Sequence, residues 1–154
     1  MKNEKIRVFL ADDDEDDCLL FQDALQDVDK NIELIVSRDG VELMKVLKEK
    51  VPPPPRVLFL DLNMPRKNGF ECLKEMKSNA KFKDIPIVVF STSGDSEHIK
   101  KTFEEGANHY ARKPGNFVLL RKLIEYILSI DWLEDSPKHF DKFLLPHPPG
   151  QMNN

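Results

Sequence analysis

Ile6-Arg7-Val8-Phe9-Leu10-Ala11 runs directly into Asp12-Asp13-Asp14-Glu15-Asp16-Asp17. A short apolar run of this length, rich in aliphatic and aromatic residues, reads as a buried strand. Six consecutive acids cannot continue it, so the strand stops at Ala11 and carboxylates stand just beyond its tip. The apolar stripe that follows (Leu20, Phe21, Ala24, Leu25, Val28) has helical spacing and predicts an amphipathic helix. This first strand–acid–helix unit sets the reading of the rest of the chain.

The same alternation repeats. Strands are predicted at Glu33–Ser37, Val57–Leu60, Ile87–Ser91 and, more weakly, Tyr110–Arg112. Three of the five runs are nearly continuous in Val, Ile, Leu and Phe, the pattern of strands covered on both faces in a parallel sheet. Helical stripes fill the gaps: Val41, Leu43, Met44 and Leu47; Phe70, Leu73 and Met76; Ile99 and Phe103; and Phe117, Leu120, Leu123, Ile124, Ile127 and Leu128. Gly40 and Gly69 precede helices, Asp95 or Ser96 caps the fourth, Asn116 caps the fifth, and Gly106 stops the fourth in a left-handed conformation. Strand and helix alternating five times predict an α/β fold with right-handed crossovers. Five strands fit the flavodoxin-like, doubly wound parallel sheet of order 2-1-3-4-5 with five helices.

Composition sets the limits. The 154 residues suit one domain, and 40% hydrophobic with 32% charged residues is a globular mixture. No apolar run approaches the ~18 residues of a membrane span, and Ile6–Ala11 is too short for a signal peptide. Cys18 and Cys72 are too few for a disulfide framework and read as reduced thiols of a cytoplasmic protein. Net charge is −4; the six acids of residues 12–17 contribute −6, leaving +2 for the rest. The acidity is therefore one local spot, and no basic face points to nucleic acid. Pro52–Pro55 form a stiff loop before the third strand, while Pro137, Pro146, Pro148 and Pro149 mark residues 133–154 as a proline-containing tail after a domain of residues 1–132. The roughly twenty residues after Trp132 are too few for a separate effector domain.

In a doubly wound sheet, ligands bind beyond the carboxyl ends of the strands. Asp12 and Asp13 follow strand one. Asp61 follows strand three in Phe59-Leu60-Asp61-Leu62-Asn63-Met64-Pro65. Ser91 and Thr92 end strand four, and Lys113-Pro114 follow strand five. Three carboxylates, a hydroxyl and a lysine thus converge on one edge. Packed carboxylates repel and call for a positive charge among them, and an oxygen-only, water-retaining set suits Mg²⁺ better than zinc. A carboxylate is also a nucleophile able to accept a phosphoryl group, with the cation, the Lys113 ammonium and the Ser91 hydroxyl compensating its oxygens.

These residues resemble the receiver domain of two-component response regulators of the single-domain, chemotaxis-regulator type. The likeness extends from Ile6 to about Leu128 and rests on Asp12-Asp13, the Asp61–Pro65 segment with Gly69, Ser91-Thr92 and Lys113-Pro114. It implies that Asp61 is the phosphoacceptor and that Asp13 is a direct Mg²⁺ ligand. Asp12 would bind directly or through water, with the Asn63 backbone carbonyl completing the protein's share. It further implies that Ser91 is a switch hydroxyl, that Tyr110 is an aromatic that moves inward with it, and that Lys113 pairs with the phosphoryl group, its own peptide bond to Pro114 being cis. Thr92 is larger than the family's frequent small residue and narrows access to Asp61. Gly115 stands where a bulkier residue is frequent, and Ser93 and Asn63 occupy positions that tune phosphoryl lifetime. The partners implied are a histidine kinase or phosphotransfer protein and an unidentified downstream protein bound through helix four, strand five and helix five. The tail is similar to extensions that help dimerisation in some phytochrome-partner receivers, so Phe140, Phe143, Leu144 and Leu145 pack on the domain or on a second copy, or fray.

Other readings stand beside this one. In one, the protein would pass the phosphoryl group on as a phosphorelay intermediate instead of signalling by contact. An aspartate-nucleophile phosphohydrolase would need an acid/base two residues after Asp61, where Asn63 stands; a flavodoxin-like cofactor binder would need a phosphate-cradling loop where the acid run stands. Asp12-x-Asp14-x-Asp16 imitates a calcium loop, but its sixth position is Asp17 rather than Gly. Glu15, Asp16 and Asp17 are read as favourable charges at a helix start. His98, His109, His139 and His147 are read as surface residues, and Cys18 and Cys72 as helix-packing or surface thiols.

Overall fold

A computed structural model describes residues 5–134 and 140–145. Strands β1 (Ile6–Ala11), β2 (Ile32–Ser37), β3 (Val57–Leu60), β4 (Ile87–Ser91) and β5 (His109–Arg112) alternate with helices α1 (Glu15–Val28), α2 (Gly40–Lys50), α3 (Gly69–Lys77), α4 (Ser96–Glu104) and α5 (Phe117–Leu128). All the pairings are parallel and the order is β2-β1-β3-β4-β5, as the alternation predicts. β2 and β5 each extend one residue further towards the N-terminus than the apolar runs indicate.

The central strands carry apolar side chains to both faces. Val57 and Phe59 of β3 join Phe21, Ala24 and Leu25 of α1 and Leu120, Ile124 and Ile127 of α5. Leu58 and Leu60 join Leu43, Leu47, Leu73 and Met76 on the opposite face, under α2 and α3. At ~1.5–3 kcal/mol for each fully buried large side chain, two cores sharing one sheet supply the main driving force. Phe21, Phe59 and Phe90 add a triangle of edge-to-face contacts, with centroids 4.8 to 5.8 Å apart. Val41 and Phe117, read as part of the apolar stripes, lie in the first turns of their helices and are exposed, as is Leu20 at the margin of its stripe.

Every α-helix opens on an Asp or Asn whose side chain accepts a first-turn amide: Asp14, Asp39, Asn68, Asp95 and Asn116. Gly40 and Gly69, expected to precede helices, are instead their first residues. A glycine cannot cap with a side chain; here it permits close packing. A Cβ at Gly40 would stand 2.1 Å from the Lys67 carbonyl oxygen, and one at Gly69 would stand 2.2 Å from that of Asp61. Gly106, with φ +99°, ends α4 in the expected left-handed conformation.

β5 is an edge strand, and the chain after α5 returns to it. Tyr110 N–H donates to the Phe143 carbonyl (3.0 Å), Leu145 N–H donates to the Tyr110 carbonyl (2.8 Å), and Phe143 is fully buried. His109, expected at the surface, is buried, with Nδ1 3.1 Å from the Phe143 carbonyl; the returning segment covers it. Cys18 and Cys72 are both buried in helix packing. His139, His147, Pro137, Pro146, Pro148 and Pro149 lie outside the described residues.

Candidate functional site

Parallel strands end on a common edge, so the residues after β1, β3, β4 and β5 meet. Asp12 stays in register with the sheet: its N–H donates to the Ser37 carbonyl at 3.0 Å, which buries its side chain. Asp61 N–H donates to the Ala11 carbonyl at 2.9 Å and fixes the β3 tip beside β1. One carboxylate oxygen each from Asp12, Asp13 and Asp61 lie within 4.8 Å of one another, with Asp13 exposed and the other two buried. Oxygen ligands at 2.0–2.6 Å from one divalent ion stand roughly 4–5 Å apart across it. The acidic cluster therefore fits a divalent cation, with an open side towards water at Asp13. Asn63 is exposed just beyond Asp61, on the same loop.

Lys113 enters from the end of β5, with its N–H donating to the Ser91 carbonyl (2.9 Å). Its ammonium stands 2.7 Å from Asp12 Oδ2, 2.9 Å from Asp17 Oδ2 and 3.4 Å from Asp61 Oδ2. Burial opposes its charge, but the hydrogen bonds to Asp12 and Asp17 and the charge of Asp61 outweigh that and raise its pKa. Burial, reinforced by the Asp12 charge, pushes the Asp61 carboxyl up to about 6, although Lys113 and the Leu62 N–H (2.8 Å to Oδ1) pull the other way. Two like charges ~4 Å apart at an effective dielectric of about 20 repel by about 4 kcal/mol. One ammonium among four carboxylates leaves excess negative charge, which favours a cation there.

Ser91 is buried at the β4 tip and Thr92 is exposed beside it. Ser91 Oγ accepts the Ser93 N–H (3.1 Å), the Ser93 hydroxyl contacts His98 Nδ1 (2.9 Å), and the Tyr110 hydroxyl donates to the Ser93 carbonyl (2.9 Å). Ser93 thus links the Ser91 hydroxyl to the Tyr110 ring and to α4. Tyr110, expected to move inward, already stands inward with no exposed surface. His98, expected at the surface, is half-buried against Phe70.

Asp12, Asp13, Asp61 and Lys113 stand together at the carboxyl edge, and Ser91 is tied to them through its carbonyl's bond with Lys113 N–H. Asp17 is the residue that sequence reasoning missed. The helix-start position suggests only a favourable charge, but Asp17 faces Lys113 across 96 positions of chain. No sequence signal separates it from Asp16; only the turn of α1 does. The Lys113–Pro114 bond is a second difference. The cis bonds among the described residues are Val51–Pro52 and Pro52–Pro53, so the cis bond expected at Lys113–Pro114 is not found.

A five-stranded doubly wound sheet with an acidic, lysine-bearing pocket at its carboxyl edge defines a signalling receiver. The chain belongs to the response regulator receiver domain family, whose model matches residues 8–125, and it is a receiver of two-component signalling. It is similar to the response regulator Rcp1 of Synechocystis sp., with 36% identity over 131 residues that cover 82% of this chain and 88% of Rcp1. Among solved structures it resembles the phosphorylated cyanobacterial phytochrome response regulator RcpA (TM-score 0.76, 33% identity, 85% of this chain and 96% of that one). It also resembles the Mn²⁺-bound form of Rcp1 (TM-score 0.72, 35% identity, 84% and 95%). Among the described residues no helix is long and apolar enough to cross a membrane.

Proposed function

We propose that this protein is a Mg²⁺-dependent phosphoacceptor that takes a phosphoryl group from a histidine kinase or phosphotransfer protein onto Asp61. The observation that carries the reading is Asp61 itself, buried beside the Asp12–Asp13 pair and 3.4 Å from the Lys113 ammonium. In the transfer, the P–N bond of a phosphohistidine breaks and a P–O bond forms to an Asp61 carboxylate oxygen. The imidazole leaves with the electron pair and picks up a proton. Asp12, Asp13, Asp61 and the Asn63 carbonyl would hold Mg²⁺, which supplies charge neutralisation on the phosphoryl oxygens. Lys113 pairs with the same oxygens, Ser91 turns its hydroxyl to them, and exposed Thr92 flanks the approach.

The output follows from the hydrogen bonds of Ser93. When Ser91 Oγ turns to the phosphoryl group it gives up the Ser93 N–H, which frees the loop that also receives the Tyr110 hydroxyl. The face formed by α4, β5 and α5 then changes its affinity for a partner protein. The likeness to phytochrome response regulators supports a sensor histidine kinase as donor. The segment 140–145 belongs with the receiver, as the burial of Phe143 and Leu145 in its two cores supports.

The experiment is intact mass after incubation with acetyl phosphate, with and without Mg²⁺. One added phosphoryl group, dependent on Mg²⁺ and lost in Asp61→Asn, is expected. Labelling that survives Asp61→Asn would defeat the assignment.

A further inference from the structure

The Lys113 ammonium has its two short contacts with residues other than Asp61. Asp12 is at 2.7 Å, Asp17 at 2.9 Å and Asp61 at 3.4 Å. The local chain explains why Asp17 is available. Asp14 caps α1, which makes Asp17 the third helical residue, the position from which a Glu or Gln folds back onto the cap's N–H in a capping box. That N–H is already donating to Asp12 Oδ1 at 3.0 Å. Asp17 N–H donates to Asp14 Oδ1 at 2.9 Å, so the helix start is secured without the Asp17 carboxylate. The side chain turns to Lys113 instead.

The two short contacts are not equivalent. The Asp12 side chain is 1% exposed and that of Asp17 is 40% exposed. With no divalent ion bound, releasing Asp12 would leave a buried carboxylate uncompensated, which is costly. Releasing Asp17 returns it to water at little cost. Without a cation beside Asp12, an ammonium that turns to new oxygens on Asp61 gives up Asp17 first; with one beside Asp12, Asp17 is the short contact still left to give up.

We propose that Asp17 is a positioning residue that holds Lys113 in the unphosphorylated protein and competes with the phosphoryl group for its ammonium. This rests on Asp61 being the phosphoacceptor. Asp17 then sets how readily the phosphorylated state is occupied, without touching the phosphoryl group itself.

The test uses beryllofluoride, a non-covalent tetrahedral stand-in for the phosphoryl group, titrated into the full chain at saturating Mg²⁺ and followed by amide NMR shifts. Loss of a partly exposed ion pair predicts that Asp17→Asn binds it about two- to five-fold more tightly than wild type. Asp17→Glu keeps the carboxylate and is expected to return to the wild-type affinity, which a role confined to helix packing would not produce. Unchanged or weaker binding in Asp17→Asn, with wild type binding normally and the amide spectrum still folded, overturns the proposal alone. A folded wild type that neither binds beryllofluoride nor takes a phosphoryl group from acetyl phosphate overturns the phosphoacceptor reading and this proposal with it.

Discussion

Tyr110 and Phe143 are joined through both backbone and side chain: the Tyr110 N–H donates to the Phe143 carbonyl at 3.0 Å, and their buried rings meet edge-on with centroids 6.3 Å apart. Phe103 lies against Phe143 as well, at 5.2 Å. A segment beyond the last helix therefore covers the open edge of β5 and completes the packing around an aromatic whose hydroxyl reaches the β4–α4 loop.

Phe143→Ala empties a fully buried site. A buried Phe truncated to Ala typically costs ~3–5 kcal/mol, which for a chain of this size lowers the thermal midpoint by roughly 10 °C. Calorimetry of the full chain checks it; a midpoint within about 2 °C of wild type would mean that the returning segment adds little to the core.

Lys113→Met leaves Asp12 and Asp61 without their nearest cation. The folded-state pKa of Lys113 is raised, so its stabilisation is complete below the ordinary lysine value and fades only as pH rises through the higher folded one. At pH ~7.5 the variant should lose about 3–5 kcal/mol, as for a buried pair with one partner removed. Millimolar Mg²⁺ should recover part of the loss by restoring positive charge. Urea unfolding with and without Mg²⁺ measures both; a loss that Mg²⁺ leaves unchanged counts against a cation among these carboxylates.

Asp61 gives the opposite pH dependence from a salt-bridged carboxylate. Its folded pKa is about 6 against 3.8 for the ordinary group, so ionised Asp61 opposes folding. The penalty is absent below the unfolded value, grows as pH rises between the two, and is complete above about 6. Without divalent ions, Asp61→Asn should be more stable than wild type by about 1–3 kcal/mol at pH ~7.5 and equal to it near pH ~3.5. A gain independent of pH would contradict the assigned cause.

Gly69→Ala tests how the fold holds the site. Its Cβ would stand 2.2 Å from the Asp61 carbonyl oxygen and 2.8 Å from Leu62 Cα, backbone atoms that cannot yield cheaply. The variant is expected to lose at least ~2 kcal/mol and to bind Mg²⁺ several-fold more weakly as Asp61 shifts. Calorimetry and metal titration by NMR would show it; wild-type values in both would mean that the α3 start does not constrain Asp61.

Much of this is legible in the sequence. The strands Ile6–Ala11, Val57–Leu60 and Ile87–Ser91 have the bounds of their apolar runs, because continuous apolar runs between helical stripes have few alternatives. The convergence of Asp12, Asp13, Asp61, Ser91 and Lys113 followed from parallel strands ending on one edge. Other features were hidden. The burial of His109 depends on a segment more than thirty residues later, and the diversion of Asp17 depends on Asp14 N–H being already bonded to Asp12. Gly40 and Gly69 carried a true signal for helix starts, but their position inside the helix reflects approaching carbonyls that no local pattern records.

The order of elements, the doubly wound sheet and the cluster of acids at its edge were determined by the sequence alone. Hydrophobic period and chain connectivity are local properties, and parallel topology turns them into a common edge. Which acid pairs with Lys113, how Ser93 ties Ser91 to Tyr110, and where Phe143 and Leu145 pack were decided only by the tertiary structure. These depend on distances of a few ångströms between residues far apart in the chain, where solvation and competition among hydrogen bonds, rather than residue type, choose the partner.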